Sequence, residues 1–190
     1  MSRIPSASQT VGPFFNFGLT NNAGLGNLAG PEVAGDRIRL SFRVLDGDRN
    51  PTPGDAMIEL WQADAAGRYP HPLDPRGCET ATFHGFGRLE TDLDGCCTFE
   101  TIKPGRVAGS DGVSQAPHVN VLVFARGLLK HLHTRVYFEG DPANQHDPVL
   151  ALVPEDRRST LLAHASAEDP AAWTFDIVLQ GDRETVFFDL

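Results

Sequence analysis

Cysteine is scarce in this chain: there are three in 190 residues, Cys96 and Cys97 adjacent and Cys78 alone. That spacing suits neither an even-numbered disulfide framework nor a zinc knuckle, so reduced thiols in or near a core are expected. Long apolar runs are absent too. No stretch reaches the roughly 20 residues of a membrane-spanning helix, and residues 1–13 lack the apolar centre of a signal peptide. The expectation is a cytoplasmic protein with no membrane partner. Positive charge is in deficit: 16 Lys and Arg against 25 Asp and Glu leave a formal net charge of −9. With no basic excess to displace phosphate counterions, no nucleic-acid partner is expected. There is no G-x-S-x-G elbow and no Walker loop, and GFGRLE (residues 85–90) lacks the third glycine of a dinucleotide turn. Hydrolase, kinase and dehydrogenase chemistry therefore find no support.

What the chain does have is alternation broken by turns, with 14 Pro and 19 Gly. Its length suits one domain, residues 1–190, burying about 70% of its unfolded surface. Residues 1–35 show no sustained period. With Phe14, Phe15 and Phe17 apolar between turn formers, they are expected to form an extended arm packed on another surface. From Arg37 to Leu45 the residues Ile38, Leu40, Phe42 and Val44 fall on one face and Arg37, Arg39, Ser41 and Arg43 on the other, as in a half-buried strand. Ala56 to Gln62, His118 to Phe124, Leu132 to Phe138 and Trp173 to Leu179 read as further strands. Gly87–Thr91 and Cys97–Ile102 flank DLDG and predict a hairpin. Pro154 to Ala165 predicts the one helix, with acidic residues at its start and Leu161 and Leu162 as anchors. About seven short strands and one short helix make a mainly β chain, a β-sandwich.

Candidate chemistry gathers between Ile58 and Asn120. Tyr69 and His118 sit at strand edges, and a phenolate and an imidazole suit a hard, high-valent metal. The neighbours that could complete such a site are Val107 and Asn120, which are poor ligands. The plainer alternatives are a packed tyrosine with its hydroxyl bonded nearby and a satisfied structural histidine. His131 and His133, two apart in a strand, point to one face. They are either a metal pair or, more simply, a polar sheet face, because no carboxylate or cysteine lies at ligand spacing. Arg126, between Ala125 and Gly127 at a strand end, can reach outward to a carboxylate or form a surface ion pair.

Seven segments add to this in order: SQTVGPFF, ELWQADAAGRY, GFGRLETDLDG, TIKPG, APHVNVLVFARG, HLHTRVYFEGDP and FDIVLQGDRETVFFD. From about residue 8 to the C-terminus the chain resembles the intradiol ring-cleaving dioxygenases. The resemblance implies that family's β-sandwich core. Its iron-bearing beta chains hold a non-haem ferric ion with two tyrosines and two histidines. Those places fall here on Tyr69, Val107, His118 and Asn120, and the place of an assisting arginine falls on Gln115. The implied chain is an alpha-type subunit that does not itself bind iron. Fe(III) would be carried by a partner beta subunit, with the working pocket at the junction of the two chains. To that pocket this chain would lend Thr10, Gly12, Pro13 and Arg126, the last facing the carboxylate of 3,4-dihydroxybenzoate, which O2 cleaves to 3-carboxy-cis,cis-muconate. The competing expectation is a non-catalytic, self-associating sandwich that binds a small aromatic near Tyr69 and His118.

Overall fold

The computed structural model describes residues 17–52, 56–77, 82–109 and 112–189. Thr10, Gly12, Pro13, Phe14, Phe15 and Cys78 lie outside them. The strands are β1 (Arg37–Leu45), β2 (Ala56–Gln62), β3 (Phe86–Glu90), β4 (Cys96–Ile102), β5 (Val107–Ala108), β6 (Ser114–Gln115), β7 (His118–Ala125), β8 (Leu132–Phe138), β9 (Leu162–Ala165) and β10 (Ala172–Val178). Eight of them form one ladder in the order β3-β2-β7-β8-β9-β10-β1-β4, and β5 pairs with β6 separately. The ladder folds over on itself at the short strand β9, which pairs parallel with β8 and antiparallel with β10. The result is a sandwich.

The alternation in β1 appears as expected: Ile38, Leu40, Phe42 and Val44 are buried while Arg37, Arg39 and Arg43 are exposed. They meet Ile58 and Leu60 of β2, Val119, Val121 and Val123 of β7 and Phe175 and Ile177 of β10 in one apolar core. Each large aliphatic or aromatic side chain buried there contributes about 1.5–3 kcal/mol. Ring edges order it further, with Phe42 T-shaped against both Phe99 and Phe175.

Two local expectations are corrected. DLDG does make a tight turn, with Gly95 at φ 72°, but it joins no hairpin. β3 pairs with β2 and β4 with β1, so the turn carries the chain between the two edges of the ladder. An Asp-Gly turn sets local chain reversal and not the partner of the strand that follows. Pro154 to Ala165 is not one helix either. Glu155–Leu161 is a 3-10 helix, and Leu162–Ala165 straightens into β9 because it completes pairing between β8 and β10. Other 3-10 turns cover Ala23–Gly26, Pro142–His146 and Leu150–Leu152. The later part of residues 1–35 packs on its own chain: Leu28 joins the main core, and Ala29 and Val33 cluster with Phe83 and Ile102. Phe17 stays 68% exposed. No helix among the described residues is long and apolar enough to cross a membrane.

Candidate functional site

β7 turns its odd-numbered valines to the core, which leaves His118, Asn120, Leu122 and Phe124 on the outer face of its sheet. Register then decides their neighbours: His118 lies opposite Tyr137, Asn120 opposite Arg135, and Trp61 of β2 opposite Asn120 on the other side. Two loops roof this patch, one carrying Tyr69 and one carrying Val107. They can meet because glycines stand where they touch. Gly67 has φ 74°, and a Cβ there would fall 1.8 Å from the Arg106 carbonyl oxygen; one on Gly105 would fall 2.2 Å from that of Ala65. The glycines of AAGRY and KPGRV are thus requirements of close backbone approach.

Ion pairs fix both loops. Asp74 accepts from the Tyr69 backbone N–H at 2.9 Å and pairs with Arg76 at 2.7 Å. The Arg76 side chain, with the backbone N–H groups of Tyr69 and Arg76, holds its carboxyl well below the usual carboxylate range. Arg76 also donates to the Gly67 carbonyl at 2.9 Å. Lys103, at the start of the second loop, pairs with Asp141 at 2.9 Å and lies over the Phe138 ring. Below, the buried Asp147 accepts from the N–H groups of Ala116, Val149 and Leu150 and from the Tyr137 hydroxyl, at 2.7–3.0 Å. It thereby sets Ala116, whose carbonyl bonds His118 Nδ1 at 2.8 Å. The carbonyl can only accept, so Nδ1 carries the proton.

The structure brings the five sequence-marked positions Tyr69, Val107, Gln115, His118 and Asn120 into one neighbourhood. Val107 pairs with Gln115, and Gln115 accepts from Arg135 at 2.8 Å. Asn120 Nδ2 donates to the Tyr69 hydroxyl at a long 3.4 Å, and the Tyr69 ring stacks on Trp61 at 5.6 Å. Burial pushes the Tyr69 phenol up, partly offset by the Asn120 hydrogen bond. Burial, aided by the nearby Arg135, pushes His118 down to about 4. Both groups are neutral at pH 7.

These residues do not fit a ferric ion. Val107 offers a buried hydrocarbon in place of a ligand, and the Asn120 amide nitrogen donates to the Trp61 carbonyl and to the Tyr69 hydroxyl, both at 3.4 Å. The Arg135 guanidinium, whose charge reaches Tyr69, His118 and Tyr137, further disfavours a cation. Among the described residues no group of three or more His, Cys, Asp or Glu side chains is arranged to hold a metal. Arg135 is the participant that sequence reasoning missed. Its alternation on β8 places it on the outer face, but only the β7–β8 register sets it beside Asn120.

Arg126 sits elsewhere. It follows the last residue of β7, is exposed, and precedes Gly127 at φ 87°. Eight residues separate it from His118, about 26 Å at a strand rise of roughly 3.3 Å per residue. His131 and His133 do share a face: their Nε2 atoms are 2.8 Å apart.

Comparison with known proteins places these observations. The dioxygenase family model matches residues 11–181. The chain is 43% identical over 196 residues to the protocatechuate 3,4-dioxygenase alpha chain of Burkholderia cepacia, covering 96% of each. It is 35% identical to the beta chain of protocatechuate 3,4-dioxygenase from the same organism, over 94% of this chain and 77% of that one. Among solved structures, the dioxygenase domain of a dioxygenase carbohydrate-binding fusion protein from Streptomyces sp. SirexAA-E superposes with a TM-score of 0.63 at 27% identity, covering 94% of this chain and 99% of that one.

Proposed function

The chain belongs to the intradiol dioxygenase family, and on that premise we propose that it is the alpha subunit of a protocatechuate 3,4-dioxygenase. In this reading it pairs as a single domain with a beta subunit that holds Fe(III), and it closes the pocket at their junction. There 3,4-dihydroxybenzoate is cleaved with O2 to 3-carboxy-cis,cis-muconate. Thr10, Gly12, Pro13 and Arg126 contact the substrate, with the Arg126 guanidinium against its carboxylate, and residues 1–35 begin with an arm that covers the partner.

The observation that carries the reading is the separation along β7. The equivalents of the metal ligands are a neutral, hydrogen-bonded cluster at one end, unsuited to iron. The arginine proposed to meet the substrate is exposed at the other end, about 26 Å away at the strand rise used above. A chain whose ligand-equivalent positions are filled by mutually bonded side chains at one end of the strand and whose arginine is exposed at the other suits a role completed by a neighbour. A fork matched to a carboxylate supplies orientation as well as affinity.

Native mass spectrometry with iron analysis tests the pairing. The expected result is a second chain at one-to-one with about one iron per pair. A chain that comes alone and iron-free would sink the catalytic reading and favour a non-catalytic, self-associating sandwich.

A further inference from the structure

Away from the site described above, on the same outer face of β7 and β8 but toward the β7–β8 turn, the His131 and His133 rings meet with centroids 4.6 Å apart at 60°. Both side chains are half-buried, and they line a cavity of about 270 Å³ with Lys130, Leu132, Phe187, Phe188 and Asp189. His131 also packs on Phe124, with ring centroids 5.2 Å apart. His133 is pinned from behind, its carbonyl accepting from the Phe188 N–H at 2.8 Å. The one lysine of the cavity is answered by Asp189 at 3.1 Å.

We infer that His131 and His133 form a two-imidazole site for a divalent transition-metal ion of tetragonal preference, copper(II) above nickel(II). This reading is independent of the proposed function. The Nε2 atoms lie 2.8 Å apart. With metal–nitrogen bonds of about 2.0–2.1 Å, that separation gives an N–M–N angle of roughly 84–89°. A tetrahedral ion needs about 109°, and hence nitrogens about 3.3 Å apart at the same bond length. The pair therefore matches adjacent positions of a square-planar or tetragonal ion, and the divalent stability order places copper highest. An Nε2···Nε2 hydrogen bond requires one ring to accept and so be neutral, and the donating ring frees its Nε2 lone pair by moving that proton to Nδ1 or, where Nδ1 is already protonated, by releasing it to water. Both rings then turn off the line of that hydrogen bond so that their lone pairs meet at one point in the cavity, with the two nitrogens still adjacent. Water fills the remaining positions, with the Asp189 carboxylate at the rim.

The test is titration of copper(II), and separately zinc(II), into the full chain together with any chain that co-purifies, followed by calorimetry and electron paramagnetic resonance. The first copper equivalent is expected to show superhyperfine coupling to two imidazole nitrogens, and to bind at least tenfold more tightly than zinc. His131→Gln or His133→Gln should each leave one coupled nitrogen and weaken copper at least tenfold. The double variant should lose that equivalent. Binding of the first equivalent unchanged in the double variant, or zinc binding as tight as copper, would overturn the proposal. Because a variant could fail to fold, anomalous scattering at the copper edge from crystals of the unaltered protein gives a second reading. An ion between the two rings supports the site, and a first-bound ion anywhere else refutes it.

Discussion

At the His118 end of β7 two loops roof the sheet and the polar groups bond one another; at the Arg126 end the strand runs into an exposed glycine turn. One strand, in one chain, thus carries two unlike surfaces. The inner end is built of neutral groups: a protonated phenol, an imidazole pushed down to about 4, an amide and a valine. Its positive charge comes from Arg135, bonded to Gln115 at 2.8 Å. The outer end presents its arginine beside a glycine turn. The contrast teaches that a rigid framework can be built around residues that offer a metal little. The framework consists of Asp147, Asp74 with Arg76, and the glycines that let the loops meet.

The contrast breaks most severely at Asp147. Asp147→Ala strands four donors at the inner end, and denaturant unfolding should show a loss of about 3 kcal/mol. If stability were unchanged, the inner end would not depend on this carboxylate. Next, in the complex with the proposed beta subunit, Arg126→Ala should raise half-saturating 3,4-dihydroxybenzoate by about 10- to 150-fold, the equivalent of a charge-assisted contact of roughly 1.5–3 kcal/mol. Catechol, which lacks the carboxylate, should suffer far less. Equal losses on both substrates would remove Arg126 from the pocket.

A smaller effect follows from His118. Its folded value of about 4 lies below the ordinary 6.5, so between those values the unfolded chain binds a proton that the native chain does not. Stability therefore rises with pH across that window, is full above it, and falls by about 2 kcal/mol from pH 7 to pH 5 on this account. Urea unfolding at the two pH values should show the difference, and His118→Gln should abolish it. Smallest of all is Tyr69→Phe. The lost hydrogen bond is long and the Trp61 stack remains, so stability should move by less than about 1 kcal/mol. Ring cleavage by the complex should be unchanged, and a large fall in turnover would show that the inner end still takes part in chemistry.

Much of this was legible before any coordinates. Strict alternation in β1 and β7 marks the core faces because side chains on a strand repeat every two residues. The order of the seven segments marks the family. The hairpin expected at DLDG and the helix expected over residues 154–165 failed for one reason. Turn and helix signals are local, whereas β3, β4 and β9 are placed by partners far away in sequence.

Residue identity alone decides that Val107 cannot ligate and that Asn120 is a poor ligand, since the chemistry of a side chain does not wait for the fold. Strand register and loop packing, which are long-range, decide the rest. They set Arg135 beside Asn120, bury the Tyr69 phenol and so push it up, and bring the nitrogens of His131 and His133 within a hydrogen bond of each other. They also put Arg126 at the far end of the same strand.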